Sequence, residues 1–257
     1  MQRVQLVGIL NITPDSFSDG GEYVQPGTAV AHARQLFADG ATIVDVGAES
    51  TNPRSRALTP AQEWQRLEPV LAELLPAFTD KISLDSYHPE TVERAVKKFG
   101  PHFIVNDVTG MNNPAMREVV AEYHLKCIAS HLPARFGTDI AAAHHAATLD
   151  DEQIVLRELL ERRAQLMALG VPQTDIILDP GIGFGKTPEL NRKLLGFAKL
   201  VPDSQVMIGY SRKRFLGEER FQTAPNLAAA DVAIQNGAAY LRVHDVAAHA
   251  AHLFGAV

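Results

Sequence analysis

Short apolar runs alternate with helical patterns along the chain, and this alternation restricts the fold more than any other feature of the sequence. Each run has the length and composition of a buried strand. The predicted strands are Val4–Leu10, Thr42–Val46, Ile82–Leu84, Phe103–Val105, Leu125–Ala129, Asp175–Leu178, Gln205–Ile208 and Tyr240–Val243. The predicted helices are Pro26–Asp39, Pro60–Leu75, Pro89–Lys98, Pro114–Glu122, Asp151–Leu169, Pro188–Lys199, Ala224–Gln235 and Ala247–Phe254.

Strands that alternate with amphipathic helices favour parallel pairing, with both faces of the sheet covered. Eight such units in 257 residues predict an α/β fold of the (β/α)8 TIM-barrel type. A doubly wound open sheet is the alternative. No linker or low-complexity segment divides the chain, so residues 1–257 are predicted to form a single domain.

Composition and charge exclude several classes of protein. A net charge of −6 argues against nucleic-acid binding, which usually requires a basic surface. The single cysteine, Cys127, excludes a disulfide framework, and its apolar neighbours predict that it is buried. No apolar run approaches the ~18–20 residues that cross a bilayer, and the N-terminal segment lacks the pattern of a signal peptide. A soluble, cytoplasmic protein is therefore expected.

Polar side chains follow nearly every predicted strand. In strand order they are Asn11, Glu49 with Thr51, Asp85, Asn106, His131, Asp179, Ser211 with Lys213, and finally Arg242, His244 and Asp245. In a TIM barrel the carboxyl ends of all strands meet at one rim, where the active site lies. A ligand shared by these groups explains the pattern better than a separate structural role for each one.

Two kinds of chemistry are represented among these groups. Carboxylate, amide and ammonium groups, as in Asp85, Asn106 and Lys213, match a flat heterocycle with alternating donors and acceptors. Arg242 offers a planar fork for phosphate oxygens. The alternatives are a structural network of ion pairs at the barrel mouth and, for His244 and Asp245, capping of the last helix.

Four segments carry a family resemblance in addition to this chemistry. They are Asn11–Gly21 (NITPDSFSDGG), Asp179–Lys186 (DPGIGFGK), Ser211–Lys213 (SRK) and Arg242–Asp245 (RVHD). Together, and in this order, they resemble the dihydropteroate synthases of folate biosynthesis. The resemblance implies a homodimeric TIM-barrel transferase, with Mg²⁺ as cofactor, that is a target of sulfonamides. Its expected reaction joins p-aminobenzoate to 6-hydroxymethyl-7,8-dihydropterin diphosphate and releases diphosphate.

The resemblance also implies roles for individual residues. The expected catalytic residues are Asp85, Lys213 and Arg242. The expected substrate-binding residues are Asp85, Asn106, Asp179, Phe184, Lys213, Arg242 and His244, with Phe17, Asp19, Thr51 and Pro53 on the p-aminobenzoate side. Asn11 is the expected Mg²⁺ ligand, because an amide oxygen can complete a shell of phosphate and water oxygens.

Two loops depart from the family pattern. The second loop commonly reads Ser-Thr-Arg-Pro-Gly in the family, whereas Asn52 stands at the arginine position here. The segment Ser130–Arg135 after the fifth strand also differs. Both flank the expected p-aminobenzoate site, so a pterin-binding paralogue with weak or no synthase activity is the alternative function. A methyltetrahydrofolate transferase is a third possibility, which Arg242–Asp245 disfavours.

Overall fold

The computed structural model describes residues 3–12, 26–49 and 57–255. Within these residues, eight parallel strands pair in chain order, and the eighth pairs with the first to close a barrel. The strands are β1 Gln5–Asn11, β2 Ile43–Gly47, β3 Ile82–Asp85, β4 Ile104–Asp107, β5 Lys126–Ser130, β6 Ile176–Asp179, β7 Gln205–Ile208 and β8 Tyr240–Val243. The predicted TIM barrel is confirmed, and the open-sheet alternative is wrong. Four predicted site residues lie outside the described residues: Phe17, Asp19, Thr51 and Pro53.

Helices follow the strands and cover the outside of the barrel. They are α1 Pro26–Ala38, α2 Pro60–Ala77, α3 Pro89–Phe99, α4 Pro114–Glu122, α5 Ile140–His145, α6 Glu152–Ala168, α7 Pro188–Lys193, α8 Thr223–Gln235 and α9 Val246–Phe254. The sequence does not predict α5, which is too short to show a helical period. The predicted helix Pro188–Lys199 is wrong in its second half. There a 3₁₀-helix, Leu194–Leu200, follows α7 and contains Gly196, a poor helix former.

Capping residues determine where several helices begin. Thr59 accepts a hydrogen bond from the Gln62 N–H, and the Gln62 side chain accepts one from the Thr59 N–H. This reciprocal pair satisfies two donors that the first turn of α2 would leave unpaired. Thr187 and Asp245 cap the N-terminal ends of α7 and α9, where each side chain accepts a hydrogen bond from a backbone N–H of the first turn. The capping interpretation of Asp245 is therefore confirmed.

Apolar side chains fill the N-terminal half of the barrel interior. This layer, here called the apolar plug, consists of Val7, Ile43, Ile104, Ile128, Ile177, Met207 and Tyr240. Neighbouring strand residues point outward into a larger core between strands and helices, because side chains alternate across a strand. Cys127 is buried in that outer core, as predicted. The polar strand residues are left to the C-terminal half of the interior.

The helices in the described part of the chain are too short or too polar for a membrane span.

Candidate active site

The strand register places three predicted site residues along one stretch of the C-terminal rim. Asn11 lies beside Gly47, Gly47 beside Asp85, and Asp85 beside Asn106. A Cβ atom at Gly47 would lie 3.2 Å from the Cβ of Asp85. Because Gly47 has no side chain, it leaves space for the Asp85 side chain between Asn11 and Asn106.

Arg242 of β8 joins two carboxylates across the barrel interior. Its Nε donates to Asp45 Oδ2 at 2.6 Å, and its Nη2 donates to Asp85 Oδ2 at 2.8 Å. Burial, and then the Asp45 carboxylate, raise the pKa of Asp85 to about 8, although Arg242 acts in the opposite direction. The two charge-assisted hydrogen bonds hold the guanidinium in one orientation between β2 and β3.

Asn106 is held at one end and free to bind at the other. Its Nδ2 donates to Asp45 Oδ2 at 2.9 Å. Its Oδ1 is buried, and no donor among the described residues reaches it. A buried oxygen without a donor costs free energy. This atom therefore suits an N–H group that a ligand would bring into the pocket.

Asp179 and Lys213 provide opposite charges beside an aromatic ring. Asp179 Oδ1 accepts a hydrogen bond from the Gly181 N–H at 2.7 Å. Burial raises the pKa of Asp179, and Lys213 opposes that shift. Burial lowers the pKa of Lys213 to about 8, with Asp179 again opposing. Lys213 Nζ lies 5.1 Å from the centroid of the Phe184 ring and donates to the carbonyl of Ile182.

Lys186 fixes the glycine turn that follows Asp179. This lysine is only 2% exposed, and its Nζ donates to the carbonyls of His131, Gly181 and Phe184 at 2.8–3.0 Å. Gly181 has φ 61°, and a Cβ there would lie 2.1 Å from the His131 carbonyl oxygen, so no other residue fits. The backbone thus uses all three Lys186 donors and leaves none for a phosphate.

His244 lies two residues beyond Arg242, where β8 leaves the barrel. Its Nδ1 is 3.0 Å from Ser211 Oγ. Burial, followed by the positive charges of Arg212 and Arg242, lowers the pKa of His244 to about 3. The imidazole is therefore neutral near pH 7, and its ring nitrogens can act as one donor and one acceptor.

Comparison with known proteins decides between the families that could use such a site. The family model for pterin binding enzymes matches residues 7–244. The dihydropteroate synthase of Neisseria meningitidis serogroup C is 36% identical over 270 aligned residues, which cover 97% of this chain and 90% of that protein. The chain belongs to the dihydropteroate synthase family.

Solved structures of this family share the fold. The Xanthomonas albilineans dihydropteroate synthase with 4-aminobenzoic acid has a TM-score of 0.84 and 35% identity, and the match covers 98% of this chain and 91% of that one. The structure from the same organism in complex with 7,8-dihydropteroate has a TM-score of 0.81 and 33% identity, with the same coverage. The similarity therefore extends over the entire barrel.

The structure brings most of the predicted dihydropteroate synthase residues to one rim. Asp85, Asn106 and Arg242 belong to one hydrogen-bonded network around Asp45. Asp179, Lys213 and Phe184 adjoin the glycine turn. Asn11 and His244 lie at the ends of the neighbouring strands β1 and β8.

His131 stands apart from this group. It is 2% exposed, and its Nε2 lies 3.1 Å from Glu158 Oε2 in α6. Burial, and then the charge of Lys186, lower the pKa of His131 to about 4. Its side chain is therefore a buried structural group, although it directly follows a strand.

Sequence reasoning missed Asp45, which holds both Arg242 and Asn106. Asp45 lies within the apolar run of β2 and is 1% exposed. One signal was available: Asp45 is two residues from Ile43, which belongs to the apolar plug, so the alternation of a strand places it inside the barrel. A carboxylate at an inward position requires a partner.

Proposed function

We propose that this protein joins p-aminobenzoate to 6-hydroxymethyl-7,8-dihydropterin diphosphate and releases diphosphate. Family membership supports this activity, and the arrangement of one rim supports it independently. The observation that carries the most weight is the buried Oδ1 of Asn106, which lacks a donor among the described residues and lies in a network with Asp85 and Arg242.

The pterin would occupy the space between this network and Asp179. Its ring N–H and amino groups are donors, which suit Asn106 Oδ1 and the Asp179 carboxylate. Its ring oxygen and nitrogens are acceptors, which suit the Lys213 ammonium. Gly209 follows β7, and a Cβ there would lie 3.4 Å from Asp179 Oδ2, so the glycine keeps this part of the pocket open.

The diphosphate would lie nearer β1 and β8. Arg242 supplies positive charge, and the neutral His244 can donate one hydrogen bond to a phosphate oxygen. The half-buried Asn11 at the end of β1 offers one amide oxygen. This fits Mg²⁺, which usually takes few protein ligands and keeps water and phosphate oxygens. The bound ion would neutralise charge on the diphosphate, and we propose Asn11 as its protein ligand.

The residues suit a reaction in which diphosphate departs early. The bond between the pterin methylene carbon and the diphosphate oxygen breaks, and the oxygen keeps the electron pair. The amino nitrogen of p-aminobenzoate then forms the new C–N bond and loses a proton to water. Arg242 stabilises the leaving group, whereas Asp85, when ionised, stabilises positive charge on the methylene carbon. Neither step needs a strong base on the protein.

The direct test is a product assay with both substrates and Mg²⁺. We expect dihydropteroate to appear in proportion to enzyme, as measured by liquid chromatography and mass spectrometry, and we expect sulfonamides to compete with p-aminobenzoate. Tight binding of the pterin diphosphate without product at high enzyme concentration would instead identify the non-synthesising paralogue. A cytoplasmic homodimer also stays a prediction, which light scattering and cell fractionation would test.

A substitution of Asp179 tests the pocket itself. Asp179→Asn should weaken pterin binding by about 1–3 kcal/mol, because one acceptor becomes a donor that faces the donors of the ligand. Isothermal titration calorimetry measures the change. Asp203→Asn, at an exposed carboxylate, is the matched control. Equal pterin affinity in the two variants would show that the pterin does not bind beside Asp179.

A further inference from the structure

Three potential metal ligands meet beside the rim but outside the network of Arg242. They are Glu49 after β2, Glu63 in the first turn of α2, and His88 after β3. One ligand atom from each residue can be chosen so that all three lie within 4.8 Å of one another. The shortest recorded approach joins His88 Nε2 to Glu49 Oε1 at 3.4 Å. We refer to these three residues as the Glu49–Glu63–His88 cluster.

Burial makes this cluster different from a group of acidic residues on the surface. Glu63 is 1% exposed, and the side chains of Glu49 and His88 are only 15% and 16% exposed. Across the described residues, the only ion pair recorded for these two glutamates is the one between Glu49 and His88. Two largely buried carboxylates thus face at most one positive charge. Such an arrangement is costly unless a further cation or proton compensates it.

Neighbouring groups hold the ligand side chains in place. Glu49 accepts hydrogen bonds from the Tyr87 hydroxyl at 3.0 Å and from the Leu58 N–H at 2.9 Å. Ser86 Oγ donates to Glu63 Oε2 at 2.8 Å. These bonds leave lone pairs on each carboxylate, and they orient the ligands as the outer contacts of metal sites do.

The imidazole of His88 points its Nε2 atom into the cluster. This atom is buried and lies 3.4 Å from Glu49 Oε1, and among the described residues it makes no contact with the geometry of a hydrogen bond. A nitrogen in this position requires either a proton shared with a carboxylate or a metal ion.

We infer that the Glu49–Glu63–His88 cluster binds one divalent transition-metal ion of the Zn²⁺ class. An ion equidistant from three such atoms would lie about 2.0–2.6 Å from each, close to the 2.0–2.2 Å of zinc–nitrogen and zinc–oxygen bonds. The two carboxylates balance its charge, and three protein ligands leave a position for water. Imidazole favours Zn²⁺ over Mg²⁺, which prefers oxygen ligands. The ion would connect the segments after β2 and β3 to the start of α2.

Titration of the full-length, EDTA-treated protein with ZnCl₂ tests this assignment. Calorimetry should detect one Zn²⁺ per chain, whereas MgCl₂ at the same concentration should not compete. The fluorescence of Trp64, the residue next to Glu63 and the only tryptophan of the chain, should change with the same stoichiometry. Glu63→Gln and His88→Gln should each weaken Zn²⁺ binding at least tenfold. Glu63→Gln can keep the hydrogen bond from Ser86, so its fold is expected to persist.

Two control variants separate this site from other zinc-binding groups. His252→Gln removes a histidine of an exposed pair with Asp231 and should leave the Zn²⁺ affinity unchanged. Asn11→Ala alters the proposed Mg²⁺ ligand and should also leave it unchanged, so failure of the synthase assignment would not affect this result. Co²⁺ bound to the wild-type protein should give visible absorption bands typical of a site with three protein ligands and one water. Failure to bind Zn²⁺ at the one-per-chain level, or equal affinity in Glu63→Gln and His252→Gln, would show that the cluster holds only protons.

Discussion

The two halves of the barrel interior are built from the same eight strands but contain opposite kinds of side chain, apolar in one half and polar or charged in the other. The N-terminal half is the apolar plug, whose members lie at or near the beginnings of their strands. The C-terminal half contains Asp45, Asp85, Asn106, Asp179 and Arg242. A shift of only two residues along a strand separates Ile43 from Asp45 and Ile177 from Asp179.

This comparison shows how the molecule divides stability and function. Apolar burial in the plug stabilises the closed barrel at no electrostatic cost. The polar half gains little stability from its ion pairs, because desolvation offsets most of their attraction. Its ion pairs instead hold the charged side chains in fixed orientations, which a site for a polar heterocycle and a diphosphate requires. Substitutions in the two halves should therefore have different signatures.

The largest effect is expected from Arg242→Met, which removes the cation that Asp45 and Asp85 share. The free energy of unfolding should fall by about 3–5 kcal/mol because two buried carboxylates lose their partner. The value of kcat/KM should fall about 10²–10³-fold because the leaving diphosphate loses a fixed donor. Arg157→Met, at an arginine that is 63% exposed, serves as the control for both denaturation and kinetics. A kcat/KM within threefold of wild type would show that Arg242 does not stabilise the leaving group.

Ile177→Ala in the apolar plug should affect stability alone. Loss of the buried side chain should cost about 2–5 kcal/mol of unfolding free energy, measured by urea denaturation. The KM for pterin diphosphate should stay unchanged in the folded fraction, because Ile177 belongs to the apolar plug and not to the polar network of the rim. Ile177→Val should cost only about 0.5–1.5 kcal/mol. A large rise in KM in either variant would mean that the two halves are not independent.

The smallest effect concerns the pH dependence of stability, through the buried His131 that lies apart from the polar half. The folded pKa of His131 is about 4, below the ordinary value of 6.5. Its contribution is therefore fully present above pH 6.5 and is lost as the pH falls towards 4, because the unfolded chain then binds a proton that the folded chain does not. The free energy of unfolding of the wild type should fall between pH 7 and pH 4.5. In His131→Gln the fall should be smaller by roughly 2 kcal/mol. His102→Gln, at a histidine that is 62% exposed, should show the same fall as the wild type. If His131→Gln also showed the wild-type fall, the lowered pKa of His131 would be refuted.

The sequence predicts the barrel and its rim because both depend on local patterns. Apolar runs define the strands, and in a closed parallel barrel the residues that follow them must meet at one end. Asp45 was missed because its importance depends on contacts with Arg242 and Asn106, which are distant in sequence. The role of Lys186 was not predicted either, because it depends on a side chain that turns back to three backbone carbonyls. The direction of a long side chain and the partner of a buried charge are tertiary properties that no local pattern encodes.

The position of Arg242 on the last strand has a consequence for how the active form arises. Its partners Asp45 and Asp85 precede it by 197 and 157 residues. The two carboxylates therefore gain this cation only when the last strand takes its place between β7 and β1. Closure of the barrel therefore also completes this network, and a chain whose first and last strands have not joined lacks the arrangement of Asp45, Asp85 and Arg242.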